Sequence, residues 1–232
     1  ITVSSGINIT SVSGPVILRT GSTANSAIDI GADFGLNGDL TLDAQNGGVN
    51  GAGVLSSLAG KTLTVNTNSG INLTGANTIQ NVSLSNTESG SVVYNSSVGS
   101  GNALNISARN DANAGTINIV ETSGNILVNG SGIQTTGTIS LDAGTGSISQ
   151  DIGASIQCAQ LIVNESGDVL LNQNTNRLGN IGPINGAVIS IADYDGYTLN
   201  NQINSTGNVN LNAGSGNIVF NYSADPIITT NN

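Results

Sequence analysis

The chain has no histidine, no methionine and no tryptophan, a single cysteine, three prolines, and four Lys plus Arg against fourteen Asp plus Glu. Each shortage removes a class of function. Without histidine no Ser-His or Cys-His nucleophile–base pair can be assembled, and the commonest side-chain metal ligand is missing. Four basic residues, Arg19, Lys61, Arg109 and Arg177, are too few to follow a phosphate backbone or to dock on an anionic bilayer, and the net charge of −10 opposes both. No nucleic-acid partner and no membrane insertion are therefore expected. Cys158 has no second cysteine to pair with, and beside Ile156 and Leu161 it reads as a small core residue. Apolar runs such as Val16–Leu18 and Leu161–Val163 are the length of one strand, far short of the roughly 18–20 residues that span a bilayer. With 3% aromatic and 8% charged residues, the chain is unlike an ordinary compact domain with one large core.

What is abundant is small: 35 Asn, 32 Gly, 28 Ser and 22 Thr, with the 37% hydrophobic fraction supplied mainly by Ile, Val, Leu and Ala. One motif occurs three times, as GDLTLDAQNGGV at 38–49, GTISLDAGTGSI at 137–148 and GNVNLNAGSGNI at 207–218. Within each copy apolar residues alternate with polar ones. Leu40, Leu42 and Ala44 flank Thr41 and Asp43, and the same holds for Ile139, Leu141 and Ala143 and for Val209, Leu211 and Ala213. Period two is the strand signature, and the Ala followed by Gly marks a bend where the core narrows. Asp43 and Asp142 hold equivalent positions, which suggests a turn role. Weaker copies fill the gaps at 62–73, 116–128 and 161–171, and no run has helical spacing.

The strands fall into register at short steps. Leu40, Leu63, Leu84 and Leu104 are 23, 21 and 20 residues apart; Ile117, Ile139, Leu161, Ile189 and Val209 are 22, 22, 28 and 20 apart. A period of about 20–23 residues carrying two or three short strands is one turn of a stacked solenoid. The expected fold is all-β: a single parallel β-helix over 1–232, about ten turns long and part of a longer repeat array. The 13-residue step from Leu104 to Ile117 implies that one series changes face there. The 28-residue step holds 172–186 (NQNTNRLGNIGPING, with Arg177 and Pro183), which is expected to be a loop excursion from the rod and a candidate binding segment. Asn at the corners is expected to stack and hydrogen-bond along the rod. The chain opens at Ile1 within a strand pattern, so it is expected to be a piece whose export signal lies upstream.

The three motif copies, GxLxLxAxxGxI in outline, and the stretch VISIADYDGYTLNNQINSTGNVNLNAGSGNI at 188–218 resemble the repeat region of filamentous-haemagglutinin-like adhesins. These are bacterial exoproteins exported by two-partner secretion. The resemblance implies a right-handed parallel β-helix, an extracellular or cell-surface location and a role in adhesion. The Asn-Pro-Asn tripeptide of the family's secretion domain is absent, since the three prolines follow Gly14, Gly182 and Asp225. The piece therefore corresponds to shaft or functional repeats.

No catalytic residue, metal ligand or cofactor is assigned. Asp193 and Asp195 in DYDG are the one close carboxylate pair, but no Glu completes a calcium loop, and a solvated turn accounts for them. Tyr194 and Tyr197, with Tyr222, form a candidate glycan-stacking patch in an aromatic-poor chain. Nine Asn-x-Ser/Thr sequons are no more than the abundance of Asn, Ser and Thr produces. The expected function is a non-enzymatic surface adhesin or exoprotein shaft. Its expected partners are a host or neighbouring-cell surface glycan or protein, or copies of itself end to end. A self-assembling fibre or sheath subunit, and a β-helical polysaccharide-active enzyme, are the alternatives.

Overall fold

A computed structural model describes residues 1–3, 14–21, 26–57, 59–164, 167–221 and 228–230. Among them lie twenty-five strands. The strands are stacked in parallel as a β-solenoid of about nine turns without helices, against the ten expected. The longest inward ladder runs Ile28, Val49, Ile71, Val92, Ile117, Ile139, Leu161, Ile181 and Leu199, each paired with the next one turn on. All nine side chains are buried. Their steps run from 18 residues (Ile181 to Leu199) to 25 (Val92 to Ile117), outside the expected period of about 20–23 at both ends. Each fully buried Ile, Leu or Val contributes roughly 1.5–3 kcal/mol, so the ladder is a principal source of stability.

A second ladder joins Leu104, Ile126, Ile148, Val169, Ile189 and Val209. It corrects the register read from sequence. Leu161 pairs with Ile181, not with Ile189, so the 28-residue step ran from one face of the rod to another. The earlier series is corrected as well: Leu63 pairs with Val82 and Leu84 with Ala108, so Leu40, Leu63, Leu84 and Leu104 are not one ladder. Leu104 and Ile117 do lie on different ladders, since Leu104 pairs with Ile126 and Ile117 with Val92.

The expected excursion at 172–186 is also corrected. Arg177–Gly186 is a strand of the rod. It pairs backward with Gln157–Val163 and forward with Thr198–Leu199 and Ile203–Ser205. Its alternation is interrupted at Ile181 and Gly182, which are both buried, and the pairing shifts between Leu161 and Val163. That irregularity hid Ile181 and Ile184 as core positions. Only 172–176 lies outside the strands.

The repeated motif is explained by one turn. In each copy the Asx side chain accepts a backbone N–H two residues on: Gln45 N to Asp43 (3.3 Å), Gly144 N to Asp142 (3.0 Å) and Gly214 N to Asn212 (2.9 Å). The Ala carbonyl then accepts from Gly47, Gly146 or Gly216 at 2.8–2.9 Å. Those last glycines lie against the backbone of the preceding turn. A Cβ would collide with the carbonyl oxygen of Ser26, Gly124 or Asp195, respectively. The residue after the Ala has positive φ, 45° at Gln45, 55° at Gly144 and 56° at Gly214. The first and third copies lie in ladders through Leu63 and Ile189, while the second lies in the ladder through Ile117 and Leu161. The motif is thus a portable strand-and-turn unit, not the mark of one face.

One corner is polar inside. Thr67, Asn86, Asn110 and Thr135 are register neighbours and all are buried. Thr67 donates to the Asn86 carbonyl oxygen at 3.0 Å, and the Asn86 amide donates to Asn110 Oδ1 at 2.8 Å. Asn86 also accepts from Gly70 N at 2.8 Å, and Asn110 donates to Thr116 O at 3.0 Å. This is the expected asparagine ladder. It satisfies corner backbone groups that the strand pairing leaves over.

Candidate functional site

Opposite the inward ladders, one outward row is chemically distinct. Its register positions are Arg19, Asp43, Asn66, Ser85, Arg109, Gln134, Gln157 and Arg177, one per turn. Three of the four basic residues of the chain therefore share one line along the rod. Each carries an acidic partner: Arg19 with Asp43 (2.7 Å), Arg109 with Asp111 (2.8 Å) and Arg177 with Asp195 (2.6 Å). The three guanidinium groups are about half exposed or more, so each pair adds little stability and chiefly fixes the direction of a guanidinium.

The far end of the row is concave. Two adjoining depressions of about 190 and 420 Å³ share Thr135, Thr136 and Gln157. One reaches Arg109 and Asp111, and the other reaches Arg177 and Asp195. Gln157 is exposed and makes no side-chain hydrogen bond among the described residues, whereas Gln134 donates to Ser131 O at 3.2 Å. Ala159 and Gly179 are exposed in the larger depression and present almost no side chain. Beside it, the Arg177 guanidinium lies 4.4 Å from the centre of the Tyr194 ring, and Tyr194 is 52% exposed.

The structure separates the residues that the sequence grouped. Whereas Asp195 is exposed, Asp193 is buried. Its carboxylate accepts from Leu178 N (2.8 Å), Asp195 N (3.0 Å) and Gly196 N (2.8 Å), so it closes a turn. Burial raises its pKa above the ordinary carboxylate value, and the three backbone donors oppose that rise. Asp195 faces Arg177 instead. Tyr197 is inside the rod, and Tyr222 lies outside the described residues; among the described residues of the expected tyrosine patch, Tyr194 is the exposed one. Cys158 is buried at the wall of the larger depression, and burial pushes its thiol up to about 12, which leaves it unreactive near neutral pH.

A second buried acid was not singled out from sequence. Glu121 is fully buried and holds a turn by accepting from Ser123 N and Gly124 N, both at 2.9 Å, and from Val98 N at 3.2 Å. The Tyr94 hydroxyl is buried without a hydrogen-bond partner, and burial, with the nearby Glu121 charge, raises its pKa. Among the described residues no group of three His, Cys, Asp or Glu side chains could hold a metal ion.

The sequence marks Arg177 within the 172–186 candidate binding segment and Arg109 only as a scarce charge, and it does not single out Gln134, Gln157 or Thr136. The signal that finds them is register. Once 108–110 is aligned with 133–135, 133–135 with 156–158 and 156–158 with 176–178, two arginines and two glutamines fall on one outward line. Compared with known proteins, the chain has no matching family model, no matching curated protein and no matching solved structure. What is defined is the class, a parallel β-solenoid.

Proposed function

We propose that the chain is a non-enzymatic segment of a secreted or cell-surface adhesin or exoprotein of the filamentous-haemagglutinin-like kind. Its stacked turns form a stiff shaft whose outer rows contact another cell or surface. The observation that carries this reading is the outward row from Arg19 to Arg177, in which one polar side chain per turn faces outward at a fixed spacing. Such a surface offers many equivalent weak contacts, whose effects multiply when several engage together. The motif copies support the family reading because all three build the same turn.

The test is adhesion. Beads coated with the purified chain should retain bacterial or epithelial cells above the level of beads coated with a scrambled-surface variant, and soluble chain should compete. An antibody to the chain should label intact, unpermeabilised producing cells. Retention equal to the control, together with labelling only after permeabilisation, would overturn the proposal.

A further inference from the structure

We propose that the concave end of the outward row, Arg109–Gln134–Gln157–Arg177 with Tyr194 beside it, binds a neutral oligosaccharide lying along the rod. The inference rests on the adhesive reading above and names its ligand class. Three arguments carry it.

The first is spacing. Consecutive positions in the row are one strand separation apart, about 4.8 Å, so Arg109 and Arg177 are roughly 14 Å apart. An extended glycan repeats at close to one sugar per strand separation. Each residue of a short chain can therefore meet a new rung.

The second is hydrogen-bonding chemistry. A sugar hydroxyl both donates and accepts, and it is best met by groups that do the same. A Gln amide does so by itself, and an Arg–Asp pair does so jointly. Arg109 spends its Nε on both Asp111 oxygens (2.8 and 2.9 Å), and Arg177 spends one Nη on Asp195, which leaves further N–H donors on each guanidinium. The Gln157 amide is exposed, makes no side-chain hydrogen bond among the described residues and stands where the two depressions meet. The bare floor at Ala159 and Gly179 lets a flat ring approach the sheet, and the exposed Tyr194 ring supplies an apolar face for stacking.

The third is charge, and it selects a neutral ligand. Each arginine in the row is already paired, and the chain as a whole is at −10. A polyanionic glycan would meet a repulsive field and would have to displace Asp111 and Asp195.

The experiment titrates the purified chain with six-residue oligomers of β-1,4-linked glucose, β-1,4-linked mannose and galacturonate. It is followed by calorimetry and by the side-chain amide resonances of Gln134 and Gln157. The expected result is saturable binding of a neutral oligomer with shifts at both glutamines. Gln157→Ala and Arg177→Ala should each weaken it about fivefold to tenfold, the loss of one or two hydrogen bonds. Asn72→Ala, on a different ladder, should leave it unchanged. No binding of any neutral oligomer at millimolar concentration, binding undiminished in both groove variants, or binding of galacturonate alone would each overturn the site. The bead assay keeps the two readings apart: cells retained equally by Gln157→Ala and wild-type chain would sink the groove and leave the adhesive shaft standing.

Discussion

At the scale of single residues, the fold depends on places where side chains are forbidden and on a few buried polar atoms. Gly146 sits against the carbonyl of Gly124, with no room for a methyl group. Gly146→Ala should therefore cost at least about 2 kcal/mol in urea unfolding, because the turn must move as a unit. Gln45 is the counter-case. It occupies the positive-φ position that Gly144 and Gly214 fill in the other copies, so Gln45→Gly should stabilise by about 1 kcal/mol. A loss of stability in that variant would show that the turn has been misread. Tyr94 is a third test. Its hydroxyl is buried beside Glu121 with no partner, so Tyr94→Phe should be neutral or stabilising by up to about 1 kcal/mol. Glu121→Ala strips an acceptor from several buried N–H groups and should cost about 3 kcal/mol.

At the scale of the strand and its turn, the corner ladder is the decisive element. Asn86 links Thr67 below to Asn110 above and also holds Gly70 N. Asn86→Ala should destabilise by about 2–3 kcal/mol, and hydrogen exchange should show the loss concentrated in the turns around 67 and 110. A uniform loss across the rod would contradict a local ladder. Most of these elements were legible in the sequence. Strict alternation placed Leu40–Asp43, Thr138–Asp142 and Val209–Asn212, and the Asx-Ala pair marked their turns. The pairings Ile117–Ile139–Leu161 and Ile189–Val209 follow from period alone. Arg177–Gly186 was not legible, because its two adjacent buried positions break the period-two pattern and its composition of Gly, Asn and Pro reads as loop. The strand Asn125–Thr135 hid a fork for a related reason. Its first half pairs onward with Ile148–Gln150 and its second with Ile156–Gln157, with Gly130 and Gly132 at the bend. The candidate groove was invisible for the same cause, since it exists only once those two strands are in register.

At the scale of the whole molecule, stacking makes stability a sum over neighbouring turns, so the interior turns should be the last to open. Amide exchange should be slowest around Ile117–Leu161 and faster toward both ends of the described rod. Titration adds a global signature. Burial raises the pKa of Cys158 to about 12 and also raises those of Tyr94 and Tyr197. Each folded-state pKa lies above its unfolded value, so the unfolded chain ionises first as pH rises. The stability these groups contribute is complete below about pH 9 and is lost as pH climbs from there through the folded pKa values. Urea midpoints should hold from pH 7 to 9 and then fall, with Cys158→Ala flattening the first part of the fall; a midpoint constant to pH 11 would contradict the burial of these groups. The central claim, that successive turns stack in this register, is tested most directly by pulsed electron paramagnetic resonance. The experiment uses a Cys158→Ala background with nitroxides on Asn50 paired in turn with Asn118, Ser140 and Ile162. These outward positions lie three, four and five rungs from Asn50. Stacking in this register gives label separations rising evenly, about 14, 19 and 24 Å before the labels' own reach is added. Separations that fail to rise by one strand spacing per turn would contradict the solenoid and every surface row built on it.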